Sequence, residues 1–172
     1  TEMLLKYTRT EKGFVFAAGE NKTGEAVLFG VRPCDAHSFV LLDKLFDQEK
    51  YKDGYYVDKR QKTTVITLAC SEPPYATCFC ASVDGEPVSS EGADILITAI
   101  GGDCLVEFVT PKGEKLIKYF GENKADAAAD ARKNEVASKA KAAIKSKIPA
   151  HEVKPILDNN FEHPFWNTIH AR

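Results

Sequence analysis

The apolar positions of this chain fall into blocks with different periods. Met3 to Tyr7 and Phe14 to Ala17 flank Glu11-Lys12-Gly13 and read as two short strands around a turn. Glu25 to Val31 (EAVLFGV) is a continuous apolar run, the pattern of a strand buried on both faces of a parallel sheet. Arg32-Pro33-Cys34-Asp35 interrupts it. Phe39, Leu42, Leu45 and Phe46 then recur at helical spacing, which predicts a helix over 35–46 with Asp35 as its N-cap. A polar, Tyr-rich connection from Tyr51 to Arg60 leads to a second apolar run, Thr63 to Ala69 (TTVITLA). Strand, helix, strand in that order is a βαβ unit, which makes the two strands parallel with a right-handed crossover.

Residues 71–92 carry Pro73, Pro74, Gly85, Pro87 and Gly92, which leave little room for regular structure. Asp94 to Ile100 and Cys104 to Thr110 predict a hairpin across Gly101-Gly102-Asp103. That glycine pair is a turn rather than a phosphate loop, because no helix follows it. From Lys124 to Lys147 the chain turns Ala-rich, with Asp126 and Asp130 early and Lys139, Lys141, Lys145 and Lys147 late. This charge order complements a helix dipole and predicts a solvated surface helix. A short helix around Val153 to Leu157 and the sequence FEHPFW close the chain. The fold class expected is α/β, with α+β as the alternative: a parallel or mixed sheet holding the βαβ unit, the later hairpin and peripheral helices. Residues 1–120 would form the cysteine-bearing domain and 121–172 a helical extension.

Composition narrows the function classes. The 172 residues are 44% hydrophobic and 28% charged, which excludes a disordered chain. Lys+Arg 23 against Asp+Glu 25 gives a net charge of -2, without the basic excess of a nucleic-acid binder. No apolar run approaches the ~18 residues of a membrane span, and no signal peptide opens the chain, so a cytoplasmic location is expected. A start at Thr1 and a stop just after Phe161, Phe165 and Trp166 read as a fragment. The fragment lacks a dinucleotide fingerprint and a complete acid–base constellation, so no turnover of its own is expected.

The chemistry is concentrated in five cysteines: Cys34, Cys70, Cys78, Cys80 and Cys104. An odd number at uneven spacing, without a signal peptide, points to metal or thiol chemistry rather than a disulfide framework. Cys34 and Cys70 each follow the carboxyl end of a predicted strand, and parallel strands put those ends on one edge. Cys78 and Cys80 lie in the irregular segment that starts at Cys70. On a strand, residues two apart stand about 7 Å from each other, so Cys-x-Cys converges only from a loop. Four thiolates suit an iron–sulfur cluster or tetrahedral zinc, although neither spacing fits the usual zinc knuckles. Unrelated buried thiols are the third reading. The helix N-terminus after Cys34 and the cation of Arg32 would both favour a negatively charged cluster, and Arg32 would raise its reduction potential. Cys34 with Asp35 and His37 suggests a nucleophile and base. No oxyanion hole accompanies them, and an ordinary, partly exposed His37 is the simpler account. Cys104 opens or lies within an apolar strand and reads as a core or turn thiol.

GVRPCDAHSFVLLDKLF (30–46) and ACSEPPYATCFCASV (69–83) resemble the paired signatures of one family, that of the sulfhydrogenase beta subunit and the A-type subunit of anaerobic sulfite reductase. EGADILITAIG (91–101) and FEHPFWNTIHAR (161–172) are similar to the stretches that follow in it, so the resemblance covers almost the whole chain. The resemblance implies an iron–sulfur electron-transfer subunit, here the part upstream of a ferredoxin-like module. It implies a 4Fe-4S cluster on Cys34, Cys70, Cys78 and Cys80, one that aerobic handling strips or replaces with zinc. Cys104 matches no family motif. The family's pattern lacks a His at the position of His37. The implied partners are the ferredoxin-like module of the same full-length chain, a flavin- and NAD(P)-binding subunit, and a hydrogenase or sulfite reductase subunit. The reading from a different class is a structural or docking domain with an empty or zinc-filled cysteine site.

Overall fold

The computed structural model describes residues 5–19, 24–121, 123–146 and 150–170. Met3, at the start of the first predicted strand, and Lys147, at the end of the Ala-rich helix, lie outside the described residues. The chain divides into two compact units: residues 1–68, 90–97 and 106–123, and residues 69–89, 98–105 and 124–172.

In the first unit, β1 (Leu5–Thr10) and β2 (Gly13–Ala18) pair antiparallel as a two-stranded sheet of their own. Thr10 pairs with Gly13, so the turn is Glu11-Lys12, and Tyr7 packs edge-on against Phe14 with ring centroids 5.9 Å apart. β3 (Ala26–Val31) and β4 (Thr63–Leu68) are parallel neighbours in the second sheet, whose order is β3-β4-β5-β6. β4 also runs parallel to β5 (Ile95–Ala99). β6 (Cys104–Phe108) neighbours β5 across residues 100–103, a connection short enough only for an antiparallel hairpin. The α/β class, the βαβ unit and the mixed sheet therefore match the sequence reading.

The burial of β3 does not. β3 is an edge strand, and its apolar side chains stay largely exposed: Val27 is 54%, Leu28 41% and Phe29 71% exposed. β4, in the interior of the sheet, buries Val65, Ile66 and Thr67. Ile66 packs with Ile95 and Ile97, and Leu68, Val106, Phe108, Leu116 and Phe120 close over that cluster.

The crossover consists of two helices. α1 (Pro33–Phe46) begins two residues earlier than predicted, and its N-cap is Arg32, not Asp35. Pro33 has no N–H to satisfy and a φ already suited to the first helical position, so the extended residue before it takes the cap. Asp35 sits in the first turn, and its N–H bonds to the Arg32 carbonyl at 3.0 Å. The Tyr-rich connection predicted over 51–60 contains α2 (Gly54–Lys62), capped by the Asp53 carboxylate, which accepts from the N–H groups of Tyr55 and Tyr56.

The two helices are joined by a polar contact: the Tyr56 hydroxyl donates to Asp43 Oδ1 at 2.6 Å, and Arg60 Nε donates to Asp43 Oδ2 at 3.3 Å. Burial, and then the Asp43 carboxylate, push the Tyr56 hydroxyl from 10.0 up to about 12. A folded value above the unfolded one stabilises the fold below about pH 10, and the contribution is lost as pH rises through about 12. The stability gap between the protein and Tyr56→Phe should therefore be constant up to pH 10 and close between pH 10 and 12. Urea titrations across that range check it, and a gap independent of pH would contradict the assignment.

In the second unit, Ile100, Leu105 and Ala129 form a small core. α4 (Ala129–Ala143) buries Ala129 and Ala140, and Ile144 follows it into the interior. The irregular segment 69–89 is tied to this helix region by Lys141 Nζ to Glu86 at 2.7 Å and by Ser82 Oγ to the Ser146 carbonyl at 3.4 Å. α5 (Ala150–Asn159) is longer than the helix predicted over 153–157, and a further short helix, α6 (Phe165–His170), follows it. α3 (Pro111–Glu114), in the first unit, starts with Thr110 as its cap. Among the described residues no helix is long and apolar enough to cross a membrane.

Candidate functional site

β3 delivers the chain through Arg32 and Pro33 into α1, which places Cys34 in the first turn of that helix, exposed. Arg32 is exposed as well, and its carbonyl accepts the N–H groups of Asp35 and Ala36. His37, one turn on, pairs its Nδ1 with Glu91 Oε2 at 2.9 Å and is partly exposed. Glu91 thus holds the imidazole through Nδ1, and the ordinary, partly exposed His37 expected from sequence is what the structure describes. Glu91 could not have been found from the sequence, since no spacing rule links it to α1.

The other candidate thiols belong to the second unit. Cys70 follows β4, and its N–H bonds to the Pro87 carbonyl at 2.9 Å, so the two ends of residues 70–87 are closed against each other as in a compact surface loop. Within that loop the Cys78 N–H bonds to the Tyr75 carbonyl at 3.1 Å. Cys80 opens a single 3-10 turn, Cys80–Val83, and its carbonyl accepts the Gly85 N–H at 2.9 Å. Asp84 is left-handed at φ 59, and the bend brings Gly85 so close that a Cβ there would lie 3.1 Å from the Cys80 oxygen. Cys70, Cys78 and Cys80 are partly exposed; between and before the last two, Phe79 and Tyr75 are 49% and 72% exposed. The predicted irregularity of this segment is thus observed. Cys104 is the first residue of β6 and exposed, a strand-end thiol rather than a core one.

All five cysteines are thiols rather than disulfides. As a donor set, four thiols suit an iron–sulfur cluster. Among the described residues no group of three or more His, Cys, Asp or Glu is gathered as a metal site. Cys34 belongs to the first unit, and Cys70, Cys78 and Cys80 belong to the second.

These features define a class: an α/β chain with a parallel βαβ unit, one thiol following its first strand and three in the loop after its second. The chain is similar to the sulfhydrogenase 2 subunit beta of Pyrococcus furiosus, 28% identical over 183 residues, which covers 96% of this chain and 54% of that protein. The chain spans about half the length of this relative. No family model and no solved structure matches it.

Proposed function

We propose that this chain is an iron–sulfur electron-transfer domain of a cytoplasmic oxidoreductase complex. It relays electrons from or to a flavin- and nicotinamide-binding subunit, with a terminal hydrogenase, sulfur reductase or sulfite reductase at the other end. The coarser statement, an oxidoreductase-related subunit, rests on the similarity to a sulfhydrogenase beta subunit. The finer one rests on the thiols. β3 and β4 are parallel neighbours, so the turn that carries Cys34 and the loop that starts at Cys70 leave strands pointing the same way. Cys34, Cys70, Cys78 and Cys80 are the ligands of this reading, with a 4Fe-4S cluster as the group they hold. The exposed guanidinium of Arg32 and the N-terminus of α1 favour the negative charge such a group carries. Such a cluster would supply one-electron transfer, and the chain's part would be to hold the thiolates and to set the surrounding charge. The ferredoxin-like module belongs to the same reading as the next carrier.

The exposed apolar strand β3 favours a second reading, a docking domain whose cysteine site is empty or filled by zinc. One preparation separates the two. Anaerobically reconstituted with iron and sulfide, the protein should be brown. Ser at any one of the four cysteines should abolish that iron binding, and Cys104→Ser should leave it intact. A colourless protein, or iron binding that survives all four single substitutions, overturns the cluster assignment.

A further inference from the structure

An open cleft of about 700 Å³ lies in the first unit, between α1 and α2 on one side and residues 90–94 and 109–112 on the other. It sits where β4 and β5 begin, the sheet edge opposite the one from which Cys34 follows β3. Its size falls within the range of about 300–1,000 Å³ usual for small-molecule sites.

We propose that this cleft binds a small organic oxyanion, a carboxylate or phosphate monoester on an apolar or ring-shaped body, with Arg60 as the anchor of the charge. The unfilled hydrogen-bonding capacity decides the sign of the ligand. Each acidic group in the wall already has its partners: Asp43 has Tyr56 and Arg60, Asp47 has Lys52 at 2.7 Å, and Asp94 has the Val65 N–H, Thr110 and Lys112. The donors keep spare capacity. Arg60 uses Nε on Asp43 and also stands beside the Tyr56 hydroxyl oxygen, which still leaves part of its five-donor fork for a ligand. The side chains of Gln61 and Ser90 have no protein partner among the described residues.

Arg60 is also held in place. Its guanidinium lies over the Phe39 ring at 5.6 Å, its side chain is only 21% exposed, and Asp43 fixes the fork from one side. A guanidinium fixed in this way presents a preorganised pair of donors to a planar or tetrahedral oxyanion. Val57, Val109 and Pro111 supply apolar wall for the body of the ligand. Tyr56 and Arg60 also border a second, smaller cavity of about 200 Å³, lined by Leu28, Phe39 and Val65. Both cavities therefore share the anchor and its supporting tyrosine. A cation is disfavoured for the same reason an anion is favoured: the carboxylates are occupied and the free valences are donors.

Calorimetric titration of the purified protein with adenosine 5′-monophosphate and, separately, with benzoate tests this. Saturable binding is expected, weakened at least about tenfold in Arg60→Met by loss of the charged fork. Response to the nucleotide alone assigns a phosphate monoester, with inorganic phosphate competing; response to benzoate alone assigns a carboxylate. Gln61 is exposed on α2, where Glu and Lys are both good helix formers, so its variants fold whether or not Arg60→Met does. Gln61→Glu should weaken binding and Gln61→Lys should tighten it, each several-fold. The proposal is overturned if neither probe binds the unmodified protein up to about 10 mM, a limit already weaker than ordinary ligand sites. It is equally overturned if the two Gln61 variants bind alike.

Discussion

Gly92→Ala is expected to destabilise the first unit by more than about 4 kcal/mol, a loss that exceeds most single substitutions and approaches the whole stability of a small domain. Gly92 has φ +78, the left-handed region, which costs an L side chain roughly 1–2 kcal/mol. The larger part of the effect is contact. A Cβ at this position would lie 2.0 Å from the Ala36 carbonyl oxygen and 2.6 Å from its carbon. Both atoms belong to the backbone of α1, and Ala36 is fully buried, so the neighbour cannot give way as a flexible side chain would. The adjacent Glu91–His37 pair holds the same segment against the same helix. Gly30 provides an internal control: it has φ +80 but open space where its Cβ would go. Gly30→Ala should cost only the conformational part, about 1–2 kcal/mol. Urea unfolding of the two variants separates strain from close approach. Equal losses in both would show that α1 does not rest on residue 92.

The parts of this fold that were legible from sequence are those encoded by contiguous pattern. The apolar runs that became β3 and β4 flank a helical crossover, of which the apolar spacing of α1 was readable, and their parallel pairing follows from that crossover. Burial was not legible to the same degree. A run such as AVLFGV reports how apolar a strand is, not whether another element covers it, and β3 proved to be an exposed edge. At the start of α1 two local rules competed. Asp35 is a good capping residue, but Pro33 fits the first helical position, and a proline there forces the cap back onto Arg32. α2 escaped because GYYVDKRQK has too few apolar positions to set a period; the signal was Asp53, an N-cap four residues before Val57. The candidate site divides along the same line. That residues 71–92 form a loop was readable from proline and glycine, yet the path of a loop has no periodicity from which thiol positions follow. The cleft around Arg60 was invisible in sequence, since its donors come from α2 and from residue 90 on a separate segment.

The second large effect is expected at Asp94, a residue whose carboxylate organises the amino edge of the sheet. Asp94 is 4% exposed. Its Oδ2 accepts the Val65 N–H at 2.8 Å, within β4, and its Oδ1 accepts the Thr110 hydroxyl. Lys112 Nζ stands 3.3 Å from Oδ2 while donating to the Thr63 carbonyl at 2.7 Å. The backbone of Asp94 is engaged too: its N–H bonds to the Val65 carbonyl, and its own carbonyl accepts from Val109. Gly113 follows so closely that a Cβ there would lie 2.1 Å from that carbonyl oxygen. Side chain and backbone of this one residue thus fasten β4, the residue after β6 and the first turn of α3. Asp94→Ala strands a buried N–H and a hydroxyl and leaves Lys112 without its counter-charge, a loss of about 3 kcal/mol. Asp94→Asn keeps the shape and one acceptor, so it should cost less than the alanine variant. Lys112→Met keeps the apolar stem of a side chain that is 33% exposed, and leaves the carboxylate with its two neutral donors. It should cost about 1 kcal/mol, because a partly exposed ion pair contributes modestly. The order Asp94→Ala, then Asp94→Asn, then Lys112→Met is the result to look for in urea midpoints at unchanged slope. If Lys112→Met costs as much as Asp94→Ala, the ion pair rather than the hydrogen bonds holds this edge, and the role assigned to the Val65 and Thr110 contacts is wrong.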